Sequence, residues 1–253
     1  MSKSILMTGH RGVVGSILVP GLSNLGYEIT GYDIKDGDDI HDVDKLSERL
    51  VGKDACVHLA GIPGPTGNTW EEFVYANVEG TNSVIKACHN SGVKRLVYMS
   101  SGAVYGFSNG ITKPAQFPIR EDNPLPPTEE LLTYDRTKIL CEGHLEEAAK
   151  KYKMTTIALR LETPFPHASI IESHFFVSIT EENLVEALRA SLEAKFKGFG
   201  AFNIGDPIVR PEAAVNVQDW IKIHYPDIPN YTVDQQSLYD ITKAREVLGY
   251  SPR

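Results

Sequence analysis

The sequence predicts an α/β chain built as a doubly wound parallel sheet, with a smaller lobe towards its C-terminal end. Three observations carry that prediction. Short β-branched runs alternate with helical patterns from the N-terminus, several of those runs are apolar along almost their whole length, and a glycine-rich turn joins the first run to the first helix. Strict alternation of strand and helix places crossover helices on both faces of a parallel sheet. A strand covered on both faces has no polar side, hence the near-continuous apolar runs.

In chain order, Ile5 to Thr8 reads as the first strand, followed by a helix to about Leu25 and a second strand from Tyr27 to Asp33. A helix over Val43 to Val51 precedes a third strand, Ala55 to Ala60, and a helix over Trp70 to Asn90 precedes a fourth, Arg95 to Ser100. Residues 107–130 carry Pro114, Pro118, Pro124, Pro126 and Pro127. They predict a long loop at a strand's carboxyl end, the edge where open α/β sheets bind ligands. A helix from about Thr128 to Lys151 and a strand from Thr155 to Leu161 follow, so residues 1–161 read as the core unit and 162–253 as the lobe. In that lobe a helix from Glu181 to Ala194, a strand from Ala201 to Ile204 and two late helices are expected, parts of which return to the core. Ile241, Ala244, Val247 and Leu248 form one apolar stripe near the end, with Gly249 as its stop.

Composition narrows the function. The 253 residues carry a formal charge of −8 and no run of Lys and Arg, which argues against holding nucleic acid or an anionic membrane by bulk electrostatics. With 42% hydrophobic and 23% charged residues the chain is an ordinary globular one. No stretch approaches the ~18 apolar residues of a spanning helix, and the N-terminus has no signal-peptide pattern. The three cysteines, Cys56, Cys88 and Cys141, have no metal-ligand spacing, and neither do the histidines. Reduced thiols in a cytoplasm, without a metal, are the expectation.

Thr8-Gly9-His10-Arg11-Gly12-Val13-Val14-Gly15 closes the first strand and opens a helix. Glycines at those steps allow a tight turn and the approach of a pyrophosphate to a helix N-terminus, where free N–H groups favour negative charge. Asp33 ends the second strand, where a carboxylate accepts from adenosine ribose hydroxyls and repels the extra phosphate of NADP. NAD is therefore the expected cofactor. NADP stays open because Arg11 and Lys35 flank that position. Asp39 and Ile40 suit an adenine edge and face, although Asp39 or Asp42 equally suits the cap of the helix at Val43. Leu59, Ala60 and Gly61 follow His58 as small or slim residues that let a flat ligand lie close to the backbone, with His58 itself read as a packed core residue.

Ser101, Tyr134 and Lys138 are the catalytic candidates. Tyr134 and Lys138 stand i, i+4 on one helix face. An ammonium beside a phenol favours its phenolate form, which suits a general acid/base at a carbinol or carbonyl. Ser101, at the end of the fourth strand, is placed to bond the same oxygen, and Lys138 also to hold the nicotinamide ribose.

With these residues in order, the chain resembles the extended short-chain dehydrogenases/reductases, the NAD-dependent epimerase/dehydratase family. The likeness runs over roughly residues 4–252. It is carried by TGHRGVVG, Asp33, DIHD at 39–42, HLAG at 58–61, Asn77-Val-Glu-Gly-Thr81, SSGAVYG at 100–106, YDRTK at 134–138 and LR at 159–160. The resemblance implies a Rossmann fold, NAD(P) on the glycine loop, and Ser101 rather than Ser100 as the catalytic serine. It implies Asn77 as a residue that ties the central helix to the sheet beside the cofactor, and Pro164 and Phe165 as nicotinamide neighbours. Gly102, Thr163 and His174, with His167, fall in the substrate region, and the family's helices from Trp70 and Thr128 imply a homodimer.

The chain after Arg160 is shorter than in members that act on nucleotide sugars, which favours a small free substrate. The layout resembles the short uronate dehydrogenases, yet residues 170–176 hold no arginine to meet a substrate carboxylate, and the usual YGxSK reads YDRTK. The expectation is an NAD-dependent oxidoreductase acting on a carbinol of a free sugar, sugar acid or similar polyol. The alternatives are a nucleotide-sugar epimerase or dehydratase with tightly held NAD and, last, a dinucleotide-binding sensor without catalysis.

Overall fold

The computed structural model describes residues 3–64, 66–107, 110, 112–131, 133–162, 164, 175–228 and 236–253. Its centre is a six-stranded parallel sheet: β1 (Ser4–Thr8), β2 (Glu28–Tyr32), β3 (Ala55–His58), β4 (Arg95–Ser101), β5 (Thr155–Leu161) and β6 (Phe199–Asn203), in the order β2-β1-β3-β4-β5-β6. The chain winds outward from β1 to β2, then returns to β3 on the other side. The crevice at the carboxyl ends of β1 and β3 is therefore the topological switch point of the sheet.

The period of two along each strand sorts side chains onto two faces. Ile5, Met7, Val57, Val97, Met99, Ile157 and Leu159 pack with α1 (Val13–Asn24), α6 (Glu181–Glu193) and the C-terminal turn. Leu6, Cys56, Leu96, Tyr98 and Ala158 pack on the other face with α2 (Val43–Leu50), α4 (Gly80–Ser91) and α5 (Thr133–Tyr152). A third cluster lies beyond the carboxyl edge. Val104 and Tyr105 from the turn after β4, with Phe107, Phe117 and Ile119 from the long loop, meet Phe175, Phe176, Leu238, Tyr239 and α7 (Val217–His224) there. The late strand β6 pairs with β5 in the main sheet, and the final turn packs against one of its faces.

Several boundaries differ from the expectation for local reasons. The helix expected from Thr128 starts at Thr133, because residues 128–130 form one 3₁₀ turn and Leu131 is extended (φ −82°, ψ 153°). The helix expected over 70–90 opens as α3 (Trp70–Phe73) with a Thr69/Glu72 capping box, then widens into π turns over Val74–Glu79 before α4. Val247, assigned to the buried stripe, is 40% exposed. The π winding of Ala244–Leu248 rotates it away from Ile241, Ala244 and Leu248, and Gly249 (φ 76°) ends the turn as expected.

Candidate functional site

The glycine turn sits at the switch point. Gly9 has φ 69°, and a β-carbon there would lie 2.6 Å from Ala60 N; one on Gly15 would lie 2.4 Å from the His10 carbonyl oxygen. Both distances are too short for any side chain, so this turn closes only with glycine. Gly12 caps α1 in extended conformation with no side-chain cap and no acidic residue in the first helical turn, and Val13 stands 56% exposed beside it. The positive end of α1 thus faces outward without an anion of its own. Leu59, Ala60 and Gly61 run alongside, held to β1 by Leu59 N donating to Thr8 O at 3.1 Å. A pyrophosphate fits the cradle this backbone forms.

Asp33 is buried at the end of β2. Its Oδ2 accepts from Arg11 N at 3.0 Å and its Oδ1 from Lys35 N at 3.0 Å. Burial raises its pKa, but those two N–H bonds and nearby His10 and Lys35 outweigh it and hold the group below the ordinary carboxylate range. Each oxygen keeps lone pairs for a ribose hydroxyl. The two cations that could favour NADP are engaged with their neighbours: Arg11 bonds Asp36 at 2.5 Å and Lys35 O at 3.4 Å, and Lys35 Nζ donates to Arg11 O at 3.2 Å. Of the two aspartates weighed as helix cap, Asp42 takes that role by accepting from Lys45 N, while Asp39 accepts from His41 N in a local turn. Ile40 packs on α4 at Gly80, with His41 stacked on Tyr75 at 4.0 Å.

His58 is a core residue, as the sequence indicates. It is fully buried, with Nδ1 2.7 Å from Thr8 Oγ1 and Nε2 3.1 Å from Thr81 Oγ1. Burial, with Lys138 nearby, depresses its pKa to about 3, so it is neutral. Asn77 occupies the π turns. Its Oδ1 accepts from Ile62 N (2.7 Å), and its Nδ2 donates to Ile62 O (3.1 Å) and Thr137 Oγ1 (3.2 Å). Those bonds use both amide hydrogens, so Asn77 acts on the loop after β3 through Ile62 and ties it to α5.

At the other edge α5 packs on β4 and on the 3₁₀ turn Gly102–Tyr105. Lys138 Nζ donates to Met99 O at 2.9 Å and lies 5.5 Å from the centroid of the Tyr134 ring and 4.7 Å from that of Tyr98. Phe73 meets the Tyr134 ring edge-on at 6.4 Å. Ser101 Oγ accepts from Ala103 N at 3.1 Å, which leaves its hydrogen to be donated. One helix face and one strand end thus bring Ser101, Tyr134 and Lys138 to the carboxyl edge beside the switch point. Pro164 is buried just past β5, whereas Thr163, Phe165, His167 and His174 lie outside the described residues.

Behind this edge runs a buried polar network that the motifs alone do not reveal. Glu142, one turn past Lys138, accepts from Ser100 Oγ (2.6 Å), from Arg160 Nε (3.1 Å) and from the Arg160 terminal nitrogen (2.7 Å). Arg160 also donates to Tyr105 Oη (3.0 Å), which donates to Asn203 Oδ1 (2.7 Å). Burial disfavours the Arg160 charge, but the bonds and charge of Glu142 outweigh it and raise its pKa. The LR and VYG motifs name Arg160 and Tyr105; Glu142 and Asn203 carry no sequence signal. Glu162 lies outside those motifs, although a carboxyl immediately after LR at a strand's carboxyl end is a legible sign. Among the described residues no group of His, Cys, Asp or Glu is gathered to hold a metal, and no helix is long and apolar enough to cross a membrane.

The chain is 29% identical to a UDP-glucose 4-epimerase of Dictyostelium discoideum over 190 residues, which cover 63% of this chain and 52% of that protein. It is 27% identical to a uronate dehydrogenase of Pseudomonas syringae pv. tomato over 175 residues, covering 64% and 60%. The matched part spans about half the length of the first curated relatives. A uronate dehydrogenase structure from Agrobacterium tumefaciens superposes with a TM-score of 0.75 at 18% identity, over 100% of this chain and 85% of that one, a likeness of Rossmann-type fold. The NAD dependent epimerase/dehydratase family model matches residues 5–205. On that match, which spans more than half of the sequence, the chain belongs to the NAD-dependent epimerase/dehydratase family.

Proposed function

We propose that the protein is an NAD-dependent dehydrogenase that oxidises a carbinol of a free sugar, sugar acid or similar polyol. The observation that carries this reading is the placement of Lys138 between Met99 O and the Tyr134 ring, on the helix that packs against the Ser101 strand end. The glycine turn would hold the pyrophosphate of NAD and Asp33 its adenosine ribose, and the bound cofactor would supply the hydride acceptor. Tyr134 takes the proton of the substrate hydroxyl as general base. Lys138 sets positive charge beside the phenol, and its bond to Met99 fixes where that charge stands. Ser101 donates to the substrate oxygen, and Ala103 N holds its hydroxyl in that orientation. Asp33, with Arg11 and Lys35 engaged elsewhere, supports NAD over NADP.

Net NADH formation with a panel of free aldoses, polyols and uronates tests the proposal; absence of turnover with all of them would refute it. Relatives named UDP-glucose 4-epimerase support a second reading, in which the same residues oxidise and re-reduce a nucleotide sugar. That reading requires purified protein to retain NAD and to convert a UDP-sugar without net NADH. A cytoplasmic location, with three buried reduced thiols, and a homodimer through the helical stretch that starts at Trp70 and the one that follows Thr128 complete the proposal. A sedimentation mass of one chain at micromolar protein would exclude the dimer.

A further inference from the structure

Asp33 is held by the backbone of the two residues whose side chains carry the cations nearest to it in sequence. Arg11 N donates to its Oδ2 and Lys35 N to its Oδ1, both at 3.0 Å. Arg11 therefore begins within hydrogen-bond distance of the carboxylate that would meet the adenosine 2′-hydroxyl, and its stem is long enough to bring the guanidinium to the extra phosphate that NADP carries there. A guanidinium so placed would bond that phosphate and offset the charge of Asp33.

The structure puts the guanidinium elsewhere. Arg11 Nη1 lies 2.5 Å from Asp36 Oδ1 and donates to Lys35 O at 3.4 Å, while Lys35 Nζ is turned back to Arg11 O at 3.2 Å. The other Asp36 oxygen, Oδ2, lies 3.4 Å from His10 Nε2, and the His10 ring fills the space over Gly31, where a β-carbon would lie 2.4 Å from its Cε1. One carboxylate thus faces both His10 and Arg11. Asp36 is itself fixed by the short turn after β2: its N–H donates to Asp33 O at 2.9 Å, Gly37 N donates to Ile34 O at 3.0 Å, and Gly37 takes φ 81° to close the turn. A lone exposed ion pair holds weakly, whereas a carboxylate preset by its backbone and shared between two partners holds better.

We infer that Asp36 is a second specificity-determining residue for the cofactor, acting as a latch that keeps Arg11 from the position of a 2′-phosphate. NADP must then overcome the repulsion of Asp33 and also break the pair between Arg11 and Asp36. The inference deepens the NAD preference proposed above and rests on Asp33 meeting the adenosine ribose. It differs from plain repulsion by a second carboxylate, because repulsion acts whether or not Arg11 is present. A latch acts only through Arg11.

That difference is measurable without a substrate. Fluorescence titrations with NADH and NADPH give the ratio of their dissociation constants at about pH 8, where the 2′-phosphate is doubly charged, and at low salt. The wild type should bind NADH at least ~10-fold more tightly, and Asp36→Ala should lower that preference at least ~5-fold. Arg11→Ala keeps the backbone bond to Asp33 and removes only the guanidinium. In that background Asp36→Ala should move the ratio no more than ~2-fold, the part that screened repulsion contributes. A ratio unchanged by Asp36→Ala, or an equal gain with and without Arg11, overturns the latch and leaves the NAD preference standing. A wild type that binds NADPH as tightly as NADH removes that preference and the latch with it. Should Asp36→Ala fail to melt cooperatively, Asp36→Asn must lower the preference at least ~3-fold with Arg11 present, and no change there overturns the latch equally.

Discussion

The two edges of the site are built from different materials. At the β1–β3 edge the work is done by backbone: a glycine turn with no room for a side chain, a helix terminus without a cap, and two N–H groups that hold Asp33 charged. At the β4–β6 edge it is done by side chains distant in sequence, with Glu142 joining Ser100 to Arg160, Tyr105 joining Arg160 to Asn203, and Glu162 paired with Tyr239. The first edge leaves little room for change, because its backbone closes only with glycine. The second can be rebuilt by exchanging a few residues, which is how one fold serves different substrates.

If that division holds, the largest effects of side-chain removal belong to the second edge. Tyr134→Phe should lower turnover by about 10³- to 10⁴-fold, roughly 4–5.5 kcal/mol on the barrier, while NADH fluorescence titration still reports tight binding. A variant that keeps its activity would revive the reading as a non-catalytic sensor. Next comes the buried pair. Glu142→Leu leaves the Arg160 charge uncompensated and should cost about 3–5 kcal/mol in urea unfolding, with the double change Glu142→Leu and Arg160→Met milder than the single one. Additive losses in that cycle would show that the two groups do not act as a unit.

The first edge should respond in affinity. Asp33→Ala removes a charged acceptor of two ribose hydroxyls and should weaken NAD binding about 10- to 100-fold while relaxing discrimination against NADP. The ratio of kcat/KM for the two cofactors checks it, and unchanged discrimination would move the specificity to Arg11 and Lys35.

The smallest effect is a slope with pH. Burial and Lys138 hold His58 near 3 against an ordinary 6.5, so the unfolded chain takes a proton that the native one refuses. Its contribution is lost as pH falls from 6.5 towards 3. Glu162, raised by burial from 4.5 to about 7, has the opposite sign, and its contribution is present below 4.5 and lost as pH rises through 7. Between those limits the two slopes, each at most about 1.4 kcal/mol per pH unit, oppose one another. Glu162→Gln should therefore steepen the rise in stability between about pH 5 and about pH 6, read from urea midpoints. Parallel profiles for wild type and variant would remove one of the two groups from the balance.

The sheet, the glycine turn, Asp33 and the order Ser101, Tyr134, Lys138 are legible in the sequence alone. Each is a local pattern: an apolar run between two covered faces, glycines where a side chain meets backbone at 2.4–2.6 Å, and an i, i+4 pair on one helix. Between Asp39 and Asp42 it could not choose, since both precede the same helix and only the turn geometry gave the cap to Asp42. It also drew the helix from Thr128 too early and put Val247 in the core, because a 3₁₀ turn and a π turn change the winding without changing the apolar pattern. Tertiary structure alone decided which polar residues meet. Glu162 and Tyr239 are neighbours only because the loop at Ile119 pairs with the chain at 238–240, and Asn203 reaches Tyr105 only because β6 lies beside β5. Such contacts join residues on separate elements, and no periodicity or spacing within one element encodes them.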